Sequence, residues 1–171
     1  EGLEITYLKG LPPAQNVKAT GTFNHKGFDI NVLSGNVKGV EVQTGHLLLL
    51  DLDTNDESLR LDLSATGPLT DILDVVNHKP LEYASYGGID PKKVKGAGKA
   101  EFHLEFPLLS DLEFKDIKIA LKGSFKKVEV ERKLTDSLNA HLTQADLDVK
   151  LTQDQMEIHG KGHLNKLPAQ V

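Results

Sequence analysis

The side chains of this chain best suited to chemistry are seven histidines, 25 acidic residues and a few serines, and their spacing decides whether any can act together. His159 and His163 stand four apart, a spacing that places two metal ligands side by side on a helix. Gly160, Gly162 and the surrounding alternation predict a strand there instead. At about 3.3 Å per residue the two would lie roughly 13 Å apart, too far to share a zinc ion. Both read as solvated strand-face residues. His25, His46, His78, His103 and His141 are scattered singly and read as surface. Asp51-Leu52-Asp53-Thr54-Asn55-Asp56 opens like a calcium loop, with oxygen ligands at the first, third and fifth places. The sixth place needs glycine but holds Asp56, the twelfth needs glutamate but holds Asp62, and strands flank it in place of helices. It reads as an acidic β-turn.

Other patterns fail on the same test. Gly96-Ala97-Gly98 is a fragment of a dinucleotide fingerprint, with Glu101 where the third glycine belongs and a strand where a helix should follow. Ser85 and Ser124 lie in no nucleophile-elbow context. The carboxylate pairs Asp111/Glu113 and Asp146/Asp148 are two apart on strands, so each shares a wet face, as chance expects of so acidic a chain. No catalytic, cofactor or metal site is expected, and therefore no enzyme.

Composition narrows the class further. Lys plus Arg number 20 against 25 acidic residues, a net charge of −5, which disfavours nucleic acid as a partner because phosphate contacts need clustered cations. The densest basic stretch, Lys126 to Lys133, is interrupted by Glu129 and Glu131. There is no cysteine, which removes disulfides, thiolate metal sites and cysteine nucleophiles. No run approaches the roughly 20 apolar residues of a membrane-spanning helix; Leu47–Leu50 is the longest. The 171 residues predict one domain, 1–171. The chain opens at Glu1 and stops at Val171 inside its pattern, so it is expected to be a piece of a longer protein, with any anchor outside it.

That pattern has a period of two. Ala100, Phe102, Leu104 and Phe106 alternate with Lys99, Glu101, His103 and Glu105; Leu59, Leu61 and Leu63 with Arg60, Asp62 and Ser64; Ile117, Ile119 and Leu121 with Lys118, Ala120 and Lys122; and Leu147, Val149 and Leu151 with Asp148, Lys150 and Thr152. Each such strand has one apolar and one wet face, the mark of antiparallel sheets with a solvated side. The expected strands are 3–9, 17–24, 27–34, 37–43, 45–53, 58–66, 94–106, 114–132 with a break near Lys126, 138–142, 145–152 and 155–164. Turns are expected at His25-Lys26-Gly27, Ser34-Gly35-Asn36, Thr44-Gly45, Thr54-Asn55-Asp56 and Gln153-Asp154-Gln155. One segment changes period: after Gly67-Pro68, the residues Leu69, Ile72, Leu73 and Val76 follow helical spacing, and a second short helix is expected at 81–86. The fold class is mainly β, antiparallel strands forming a curved, partly open sheet, with a helical insert at about 68–86 between two β-halves.

The stretch from Gly67 to Leu108 resembles a recurring segment of the AsmA-like superfamily, in particular its YhdP-like branch. The residues carrying the resemblance are Gly67-Pro68-Leu69, Pro80-Leu81, Gly88-Ile89-Asp90-Pro91, Val94-Lys95-Gly96 and Phe106-Pro107-Leu108. The resemblance implies a periplasmic module of a large protein anchored in the Gram-negative inner membrane, concerned with phospholipid transport or outer-membrane lipid homeostasis, with no catalytic motif and no cofactor. A phospholipid or other acyl-chain lipid is then the expected partner. The candidate lipid-facing residues are Phe102, Leu104, Phe106, Ile117, Ile119, Leu121, Leu147, Val149 and Leu151, with Leu69, Ile72, Leu73 and Val76 as a helical cap. Two other readings compete: a structural β-module without ligand, and a carbohydrate or protein binder using Tyr7, Tyr83 and Tyr86. The free edges of such a sheet are expected to invite edge-to-edge association.

Overall fold

A computed structural model describes residues 3–6, 10–79, 81–86, 88–133 and 139–170. Ten described strands form one antiparallel sheet in strict chain order: β1 (Leu3–Ile5), β2 (Ala14–Asn24), β3 (Gly27–Val37), β4 (Val40–Leu50), β5 (Ser58–Pro68), β6 (Val94–Pro107), β7 (Lys118–Lys133), β8 (Asn139–Thr152), β9 (Met156–Leu164) and β10 (Leu167–Gln170). The sheet is open: β1 and β10 are its two outer strands and do not pair with each other. Helix α1 (Leu69–Val76) and helix α2 (Tyr83–Tyr86) form the insert between β5 and β6.

The insert does not interrupt the ladder. β5 and β6 pair at every position from Ser58–Pro107 to Pro68–Ala97, and the chain between them loops back over the sheet. Pro68, at the N-cap with φ −60°, leads into α1; Asp71 sits in its first turn, where a carboxylate is favourable. Leu69, Ile72 and Val76 are buried against the sheet, together about 5–9 kcal/mol of burial before entropy.

The register explains where α1 sits. Across the strands, apolar residues align in rows on one face. One row runs Val32, Gly45, Leu63, Phe102, Leu121, Leu151, Met156 from β3 to β9. The next runs Ala65, Ala100, Gly123, Val149, Ile158. Its small side chains lower the surface in the middle of the sheet, and α1 rests there with Ala65, Ala100, Phe125 and Val128 beneath it. Beside α1, Leu59, Leu61, Leu104, Phe106, Ile117 and Ile119 pack with Leu11 and Leu81 into a closed core. Among the described residues no polar or charged residue is buried as a whole.

The alternation is kept on one face by bulges. On β7 the inward residues are Leu121, Gly123 and Phe125, then Val128 and Val130: the parity changes at Lys127, which adopts φ 51°. On β8 it changes at Gln144, φ 50°, between Leu142 and Ala145. On β6 Gly96, φ 123°, takes a conformation that suits glycine, and a Cβ there would lie 3.0 Å from the Lys126 carbonyl oxygen. An extra residue at each place re-aims the strand and bends the sheet.

Several sequence expectations need correction. The break near Lys126 is a bulge inside one continuous strand. Residues 40–50, expected as parts of two strands at 37–43 and 45–53, are one strand, β4, and residues 139–152, expected as 138–142 and 145–152, are one strand, β8; residue 138 lies outside the described residues. Ser34-Gly35-Asn36 and Thr44-Gly45 are not turns but strand interior; the β3–β4 turn is at Lys38-Gly39. Gly45 has a packing reason: a Cβ there would come within 2.3 Å of the Leu63 side chain. Residues 114–116 are a 3-10 turn before β7, and Leu167–Gln170 form a strand the pattern did not predict. It is closed by a two-residue hairpin at Asn165 and Lys166, both at positive φ. Of segment 3–9, residues 7–9 lie outside the described residues.

Packing of this kind makes burial the predictor of mutational cost. Ile117 is fully buried and Leu33 is 57% exposed. Ile117→Ala should lower the unfolding free energy by about 2–5 kcal/mol and Leu33→Ala by less than about 0.5 kcal/mol, measured by urea denaturation; equal effects would contradict the assigned core.

Candidate functional site

The apolar face does not stop where α1 stops covering it. Val94, Val130, Leu142, Leu164 and Leu167 form one row from β6 to β10. Val94 is 4% exposed, Leu164 42% and Leu167 70%. On the opposite flank Phe106 and Leu59 are buried, while their row partners Phe28 and Phe23, stacked at 5.7 Å, are 38% and 78% exposed. Cover is complete in the middle and thins toward both edges.

Between α1 and strands β7–β9 the uncovered face deepens into a groove of about 520 Å³. Its floor is Leu121, Phe125, Leu147, Val149, Leu151 and Ile158; one wall is Leu69, Ile72, Leu73 and Val76 of α1; Tyr83, Ala84 and Ile89 close it behind the helix. On the other side of α1, against β3–β6, only about 70 Å³ remains. Burial pushes the Tyr83 hydroxyl up to about 12, so it stays un-ionised.

The sequence candidates divide accordingly. Leu121, Leu147, Val149 and Leu151 line the open groove, as do all four cap residues. Phe102 is half-buried beside the narrow space. Leu104, Phe106, Ile117 and Ile119 lie in the closed core. Val128, Val130 and Leu142 were missed because the bulges at Lys127 and Gln144 reverse the alternation; that slip of phase, visible as Phe125 followed by Val128, was the available signal. Tyr83 stands in the groove; Tyr7 and the side chain of Tyr86 lie outside the described residues.

The opposite face is a lattice of paired polar and charged side chains. Glu105 takes Arg60 at 3.0 Å and Lys118 at 2.7 Å, and the Lys118 ammonium, then the Arg60 guanidinium, hold its carboxyl below the usual range. His46 meets Asp29 at 2.8 Å and His103 meets Asp62 at 2.7 Å. Lys126 meets Asp146 at 3.0 Å, and the Ser124 hydroxyl donates to Asp148. His159 is exposed on β9, while Nδ1 of His163 is shut from solvent with no hydrogen-bond partner. The Asp51–Asp56 segment is a turn closed by its own bonds, with the Thr54 N–H donating to the Asp51 carbonyl at 3.0 Å. Among the described residues no three histidines or acids gather to hold a metal, and no described helix is long and apolar enough to cross a membrane.

α1 is fastened by polar contacts at its margin. Lys38, in the β3–β4 turn, bonds Asp74, and the Thr70 hydroxyl donates to the Val94 carbonyl. The Asn77 side chain accepts from the Ser85 N–H at 2.8 Å, tying α1 to α2. The Lys38 hydrogen bond is the largest influence holding the Asp74 carboxyl below its ordinary 3.8. A depressed carboxylate contributes its stability above the ordinary value and loses it as pH falls through the lowered one. On acidification from neutral pH, urea midpoints should fall more in the native chain than in Asp74→Asn; parallel curves would show that the contact contributes nothing.

No curated protein and no solved structure matches the chain. The family model described as YhdP protein matches residues 1–171, the whole length, so the chain belongs to the YhdP family, a group of AsmA-like envelope proteins.

Proposed function

We propose that this chain is a non-enzymatic, periplasmic stretch of a lipid-transporting envelope protein, and that its groove shelters an acyl chain of a phospholipid. The observation that carries this reading is the groove of about 520 Å³ between α1 and β7–β9, walled by aliphatic side chains and open to the outside. An apolar cavity of about 150 Å³ takes a benzene ring, so this volume suits about 20 carbons, one long acyl chain. Burying about 16 methylenes at about 0.8 kcal/mol each gives on the order of 10 kcal/mol before the losses of association. Family membership and a groove lining that is apolar but for the Tyr83 hydroxyl support the same reading: the chain would be held by its tail, with the headgroup outside.

Binding of a fluorescent C16 fatty acid tests it. Saturable binding is expected, and Leu151→Glu, which places a charge on the groove floor, should weaken it by at least about tenfold. Leu33→Glu, at an exposed residue outside the groove, should leave it unchanged. Absence of binding, or equal loss in both variants, would leave a structural β-module as the reading.

A further inference from the structure

We propose that the floor beneath α1 is itself a second acyl-chain site, which the helix occupies in this structure and vacates by lifting as a unit. The inference rests on the acyl-chain reading of the neighbouring groove. Four observations carry it. First, the insert is not part of the sheet: β5 and β6 pair through Pro68–Ala97 without it, so raising α1 breaks no ladder. Second, the floor under α1 is the same apolar surface as the open groove. Val149 and Ile158 in the groove continue directly as Gly123, Ala100 and Ala65 under the helix. Third, that stretch is built from the small side chains of Ala65, Ala100 and Gly123, so an empty seat would be a trough in the apolar face. Fourth, the polar contacts made by α1 itself are few and lie at its margin: Lys38 with Asp74, and Thr70 with the Val94 carbonyl. Exposing the seat to water would be unfavourable; exchanging the helix for an acyl chain replaces one apolar cover by another, and joins the two flanks into one continuous path.

The chain offers a clean lock. A Cβ on Gly39 would lie 3.6 Å from the Cβ of Asp71, within the disulfide range of about 3.5–4.5 Å. The carboxylate that crowds this space is removed by the same substitution, Gly39 needs no positive φ, and the chain has no other cysteine. Gly39→Cys/Asp71→Cys should therefore pin α1 to the β3–β4 turn when oxidised and release it when reduced, each state controlling for the other's fold. Palmitate bound at saturation is counted by native mass spectrometry. Two equivalents in the reduced protein and one in the oxidised protein are expected. As a second variant, Lys38→Ala, which removes the clasp, should raise occupancy of the second equivalent at a given palmitate concentration. One equivalent in both redox states, or no effect of Lys38→Ala, would overturn the second site and leave the groove reading standing. No palmitate in either state would overturn both.

Discussion

An antiparallel strand keeps its apolar side chains on one face only while the count of two holds, and ten strands in a row must hold it together. Everything else in this molecule follows from that single face. It cannot close on itself, because the sheet stays open between β1 and β10, and so it needs a cover. The chain supplies one eight-residue helix. A helix of that length reaches across the middle of the sheet and no further, which leaves the rows exposed toward both edges.

The cover and the floor are shaped for each other. Ala65, Ala100 and Gly123 form a low strip where α1 lies, and larger residues, Phe102 and Leu121, rise next to it. Because α1 sits toward β5 and β6, the space on its two sides is unequal: about 70 Å³ against β3–β6 and about 520 Å³ against β7–β9. The opposite face carries a different kind of order. There cross-strand ion pairs such as Arg60–Glu105–Lys118 keep the outer surface soluble and contribute little to stability individually, since exposed pairs are screened.

Much of this was legible in the sequence, because a period of two and a period of 3.6 are both visible in single residues. The strands through Leu59–Leu63 and Ala100–Phe106, and the helix at Leu69–Val76, could be placed without a structure. The bulges were legible only as interruptions, a break near Lys126 and a gap between 138–142 and 145–152. Thr44-Gly45 and Ser34-Gly35-Asn36 have the composition of turns, yet both lie inside strands, and at Gly45 the glycine makes room for the Leu63 side chain. At Lys127 and Gln144 an ordinary residue takes positive φ, which no residue type announces. For the same reason the candidate lining was only partly readable: alternation says which residues share a face, but not where on that face the helix lies. Leu104 and Leu147 obey the same rule, and only the position of α1 puts one in the core and the other in the groove.

The central claim is that the uncovered part of this face receives an acyl chain. Isotope-filtered NOE spectroscopy, with a protonated palmitate and a protein labelled at its leucine, valine and isoleucine methyls, tests it most directly. The account predicts contacts from the acyl protons to the methyls of Leu147, Val149, Leu151 and Ile158, and none to Leu33 or Leu108. Contacts scattered over exposed leucines on both faces, or none at all, would contradict it.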